Sequence, residues 1–166
     1  MKKLFFLAFF ALLSLVSNAQ GTKPSPDATA TGSIGGTKIT VKYAQPAVKG
    51  RNVWAGDLAP YGKVWRTGAN AATVIEFDKA VKVEGKDLAA GKYLLFTIPG
   101  EKEWTIIFSK YEANAWGAYA YKEANDALRV MAASSANEMT ERFTIAVEKT
   151  GVSLAWDKAK VVFGVK

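Results

Sequence analysis

The stretch GKYLLFTIPGEKEWTIIFS, residues 91–109, decides the fold. Tyr93–Ile98 is apolar at both odd and even positions, the pattern of a strand covered on both faces. In Glu103–Ser109, Trp104, Ile106 and Phe108 alternate with their neighbours and share one face. Pro99-Gly100 lies between the two runs as a turn signal. The segment is therefore expected to form a hairpin at the centre of a sheet.

Working outward, the same period of two recurs. Ile39, Val41 and Tyr43 share a face in Lys38–Tyr43; Phe143, Ile145 and Val147 do so in Arg142–Glu148. Val152, Leu154 and Trp156 do so in Gly151–Trp156. Glu84-Gly85, Ala90-Gly91 and Thr150-Gly151 mark turns, and Asp157-Lys158 is expected to turn into Val161–Val165. Lys122–Leu128 reads as one or two helical turns. The rhythm of roughly nine or ten short strands predicts an all-β fold, an antiparallel β-sandwich or jelly-roll-like barrel with one long ordered loop.

The N-terminus has the three-part order of an export signal. Lys2 and Lys3 precede an apolar run, Leu4–Val16, and Ser17-Asn18-Ala19 supplies small residues before a cut between Ala19 and Gln20. The run is short of the ~20 residues that span a bilayer, so no stable membrane anchor is expected after cleavage. The expected organisation is a signal peptide over 1–19, a flexible polar leader over 20–32 and a single β domain over 33–166. The expected location is the periplasm or the extracellular space of a bacterial cell envelope.

The chain of 166 residues has no cysteine and no histidine, and a net charge of +7. Disulfides, thiol nucleophiles, thiolate metal sites and Ser-His or His-zinc chemistry are thereby excluded. The charge is spread along the sequence rather than gathered in a block, so no nucleic-acid partner is expected. No metal site and no cofactor are expected either. Any enzyme here must work with carboxylates, Lys, Tyr or Arg, or with an oxygen-ligated metal.

One segment breaks the strand rhythm. Pro46–Asn70 has little alternation and is rich in Pro and Gly; loops of that length in a compact domain are often functional. It concentrates Lys49, Arg51, Trp54, Tyr61, Trp65, Arg66, Thr67 and Asn70. The guanidinium forks of Arg51 and Arg66 match carboxylate, phosphate or sulfate. Trp54, Tyr61 and Trp65 offer flat faces to a sugar ring, and Thr67 and Asn70 can orient a ligand. Arg51, Tyr61, Trp65, Arg66, Thr67 and Asn70 are the candidate binding set for a small anionic or carbohydrate-like ligand, with Lys49 and Trp54 as secondary candidates. The competing reading is a structural plug, in which the arginines bond carbonyls and Asp57 pairs one of them.

Secondary candidates lie elsewhere. Trp116 and Tyr119 sit in an aromatic cluster that serves either as a recognition edge or as a covered strand face, and Asp126 with Arg129 has the spacing of a short-range ion pair. Glu76 alternates with Ile75 and Phe77; on a buried face it needs an arginine, and with Asp126 it is a candidate acid–base pair. Three functions are thus carried forward: a non-catalytic binding domain, which the loop favours, a carboxylate-based hydrolase, and a structural or protein-interaction domain of the envelope.

These same residues resemble a family of exported bacterial proteins known as domain of unknown function 2911. The resemblance rests on Lys49-Gly50-Arg51, Pro60-Tyr61-Gly62, Val64-Trp65-Arg66-Thr67-Gly68-Ala69-Asn70, Gly91-Lys92-Tyr93, Pro99, Trp116-Gly117-Ala118-Tyr119, Asp126 and Leu128-Arg129-Val130. It covers about Ser25 to Lys166 and implies a signal peptide, an extracytoplasmic β-rich domain and no particular activity. The family pattern carries an acidic residue where this chain has Ala71, and phenylalanine-glycine near Trp54-Ala55-Gly56.

Overall fold

The computed structural model describes residues 23–166; the signal peptide expected over 1–19 and the first residues of the expected leader lie outside them. Nine strands follow in order: β1 Asp27–Ile34, β2 Thr37–Ala44, β3 Thr73–Phe77, β4 Val81–Val83, β5 Lys86–Leu88, β6 Gly91–Ile98, β7 Glu103–Lys110, β8 Asp126–Val147 and β9 Gly151–Gly164. Seven form one antiparallel sheet, ordered β1-β2-β3-β6-β7-β8-β9, and β4 and β5 form a small second one. The fold is all-β, with the large sheet nearly closing into a barrel.

The hairpin expected from residues 91–109 is β6–β7, with Ile98 opposite Thr105 across the turn. Its double coverage is real. Leu95, Trp104, Ile106 and Phe108 face the main core, with Phe77, Phe143, Trp156 and Phe163. Leu94, Phe96 and Ile107 face a smaller cluster on the other side, roofed by Ala115 and Tyr121. That roof is the segment between β7 and β8, which contains two short 3-10 turns, Ala118–Ala120 and Glu123–Asn125.

β8 is a single strand serving both halves of the barrel. Its first part pairs with β7 and its second with β9, with register shifts near Thr140 where it bends. Asp157 lies opposite Thr140 and takes φ 53, so the expected turn at Asp157-Lys158 is instead an irregularity inside the continuous β9. The expected helical turns at Lys122–Leu128 shrink to the 3-10 turn Glu123–Asn125, and β8 begins at Asp126.

The leader also ends earlier than expected, because β1 starts at Asp27 and pairs with β2 over its whole length. Its partly buried positions are Ala28, Ala30 and Gly32's neighbourhood, small residues that carry no hydrophobic signal. Smallness is required by the barrel seam. A Cβ on Gly32 would lie 2.7 Å from Val147 Cβ at the end of β8, so only glycine lets the two strands come this close. No backbone ladder joins β1 to β8 at that seam. Tyr43 bridges it instead, accepting from the Ile145 N–H at 3.0 Å.

Candidate functional site

The long loop crosses one end of the barrel and is tied down along its course. Val48 N–H donates to the Glu141 carbonyl at 2.8 Å, and Phe143 N–H to that of Pro46 at 2.9 Å. Trp65 and Thr97 exchange both backbone bonds, at 2.7 and 3.0 Å. Val48, Val53, Ala59 and Trp65 are buried in the main core. The loop is therefore a plug, but its outer rim is open.

On that rim Lys49, Arg51, Arg66 and Asn70 line a cavity of about 250 Å³, together with Trp65, Trp156 and the chain at Pro24 and Ser25. No carboxylate lines it. Among the described residues, none of the ion pairs includes Lys49, Arg51 or Arg66, so the pairing of Asp57 with an arginine does not occur. Arg51 spends part of its fork on the plug, donating from Nε to Val48 O at 3.0 Å and from Nη2 to Ala47 O at 2.6 Å. Arg66 does not; its Nε is buried with no acceptor, as is Nε1 of Trp156. Burial lowers the Arg66 guanidinium from its ordinary value, and Tyr119 nearby offsets part of that.

The turn Thr67–Asn70 presents this rim. Thr67 takes φ 55, Gly68 φ 158 and Asn70 φ 62. A Cβ at Gly68 would lie 3.0 Å from the Ala44 carbonyl oxygen and from Thr73 Oγ1, so the string needs glycine there to lie on β2. A β-branched residue at positive φ is strained by ~1–2 kcal/mol. Thr67 is held in place by burial and by hydrogen bonds: its hydroxyl meets Thr97 Oγ1 at 3.2 Å and its carbonyl accepts from Thr73 Oγ1 at 2.6 Å.

Several candidates thus lie away from the cavity. Thr67 is an internal fastener. Trp65, 2% exposed, donates Nε1 to Gly68 O at 3.1 Å and offers the cavity only an edge of the core. Trp54 and Tyr61 stack on each other, centroids 5.6 Å apart and 2° from parallel, and Trp54 Nε1 bonds Asp157 Oδ2 at 3.0 Å. Neither lines the cavity, and burial, then Glu101 and Asp157, raises the Tyr61 phenol. Glu76 is half-exposed beside Lys92, 3.7 Å away across the β3–β6 pair, so no arginine is needed. Asp126 is bound elsewhere, accepting from Tyr121 Oη at 2.9 Å and from Arg129 Nε. No cavity described here is lined by two carboxylates.

Trp116 and Tyr119 are exposed, at 58% and 83%. Ala71 pairs with Trp116, and Asn70 O accepts from Gly117 N–H at 3.1 Å, so this segment borders the Thr67–Asn70 turn. Pro24, Ser25 and Trp156 were not legible as site residues, because nothing local in the sequence brings the leader or the last strand to the loop. Among the described residues no group of three or more His, Cys, Asp or Glu side chains could hold a metal ion.

No curated protein and no solved structure matches the chain. Residues 25–165, the whole barrel with its loop and roof, match the family described as "Protein of unknown function (DUF2911)", and the chain belongs to that family.

Proposed function

We propose that this is an exported, non-catalytic binding domain whose ligand carries a compact anionic group. The observation that carries the reading is the 250 Å³ cavity lined by Lys49, Arg51 and Arg66 with no carboxylate in its wall. An anion held among three cationic side chains is attracted by each of them, in a wall that itself supplies no carboxylate. Asn70, at the rim, adds a hydrogen-bonding group. The carbohydrate variant loses support, because Trp54 and Tyr61 stack on each other away from the cavity and Trp65 is buried with one face against Trp156. Export rests on the signal-like segment before Gln20 and is checked by the mass of the secreted protein.

Calorimetric titration at low ionic strength tests the reading, with inorganic phosphate, sulfate and acetate against wild type and Arg66→Met. At a hundredfold excess over its dissociation constant a ligand of the native state adds about 2.7 kcal/mol of stability. Saturable binding by wild type, weakened by salt and lost in the variant, is expected. Absence of binding by every anion, or equal binding by the variant, rejects the site.

A further inference from the structure

Resting on that anion-binding reading, we infer that the ligand is an amphiphilic anion, a single hydrocarbon chain ending in a carboxylate or phosphate. A second cavity, about 690 Å³, adjoins the cationic one and shares Pro24, Ser25, Ala69 and Asn70 with it. The smaller space suits a head group. The larger is within the 300–1,000 Å³ range of pockets that enclose a whole small molecule. Its wall is a run of methyl groups from Ala28, Ala44, Ala69, Ala71, Ala72 and Val74. Trp116 stands along it, more than half exposed and in none of the aromatic pairs among the described residues.

The chemistry of that wall selects the ligand's body. A sugar or nucleoside placed there would turn hydroxyls toward methyl groups and lose their hydrogen bonds to water. A hydrocarbon chain loses nothing and gains burial along the wall and the Trp116 ring. The charges agree. Asp27, the groove's one carboxylate, is paired to Lys23 at 2.8 Å, and Lys42 also borders the groove. Apart from that ion pair and the neutral polar Ser25, Thr29, Tyr43 and Asn70, the joined surface is apolar or cationic.

Fluorescence and calorimetry on the secreted protein test this with decanoate, hexanoate, decanol and inorganic phosphate, all below micelle-forming concentrations. A fully buried methylene tightens binding about fourfold, so four partly covered ones should make decanoate at least about tenfold tighter than hexanoate. Trp116 is the exposed indole among five, so decanoate should shift tryptophan emission to the blue in wild type and not in Trp116→Phe. Ala71→Gln, uncharged and at an exposed groove position outside the lining of the cationic cavity, should weaken decanoate more than it weakens phosphate.

If phosphate binds and decanoate is no tighter than hexanoate, the amphiphile inference falls and the anion site stands. If decanol binds as well as decanoate and Arg66→Met changes nothing, the anion reading falls, and with it this one. Binding seen only to vesicles containing anionic phospholipid, with no response to monomeric decanoate, is surface adsorption and overturns the inference.

Discussion

Trp65 of the long loop stacks on Trp156 of β9, ring centroids 5.3 Å apart and planes 11° from parallel. Trp104 and Phe143 meet the same ring edge-on, at 6.2 and 4.8 Å. The loop is thus anchored through an aromatic cluster built by three separate strands. Replacing Trp156 by Ala removes the stack and opens a void that a barrel interior cannot collapse around. The expected cost is about 3–5 kcal/mol, read from urea unfolding. A loss under about 1 kcal/mol would mean that the loop is not seated on this cluster.

Arg66 separates the plug from the site. An arginine that holds the loop should destabilise the fold when truncated. Here its Nε is buried without an acceptor and no carboxylate pairs it. Arg66→Met keeps the alkyl stem and removes the charge, so folding stability should be unchanged or raised by about 1 kcal/mol. A drop of about 2 kcal/mol or more in the unfolding free energy would assign Arg66 to the plug.

The roof over the second core depends on a different ion pair. Arg129 bonds both Asp126 Oδ2 and the Tyr121 hydroxyl, while Asp126 Oδ1 is already buried with no partner. Tyr121 in turn packs on Phe96 at 5.2 Å. Arg129→Met leaves a nearly buried carboxylate unpaired, and about 3 kcal/mol of stability should be lost. Amide exchange should quicken first across residues 111–125; uniform loss of protection would show that the roof is not a separate unit.

Acid should act through Glu148. Its carboxyl is held below the ordinary value, first by the bond from Lys160 Nζ at 2.8 Å and then by Ser153. The folded value is the lower one, so the contribution is complete above the ordinary carboxylate value. It is lost as pH falls through the depressed value. Both side chains are about a third or more exposed, which limits the effect to under ~1 kcal/mol. Comparing urea midpoints at about pH 7 and about pH 3, where carboxylates are ionised and largely protonated, Lys160→Met should lose less in acid than wild type does. An equal loss would place the acid sensitivity elsewhere.

The parts of the fold that could be read in advance are those where large apolar side chains repeat every second residue. Leu94 to Ile98 and Trp104 to Phe108 show the central hairpin directly. β1 carries little hydrophobic signal because three of its four inward residues, Ala28, Ala30 and Gly32, are small, and Ile34 alone is large. The full length of β9 is not legible, because Asp157 has the character of a turn residue and is an irregularity opposite a bend. In the site, Lys49, Arg51, Arg66 and Asn70 could be picked out, since charge in a glycine-rich loop is conspicuous. The neighbouring groove could not, because its alanines come from β1, β2 and the loop and mean nothing until they face one another.

β1 is hydrogen-bonded on one side only, and just before it Pro24 and Ser25 wall both cavities. Part of the wall of each cavity therefore adjoins an edge strand near the start of the domain, where local opening generally costs least. Occupancy of the cavities and zipping of the N-terminal strand are then a single coupled equilibrium. Whatever fills the site then also decides how tightly the segment before β1 is held to the barrel.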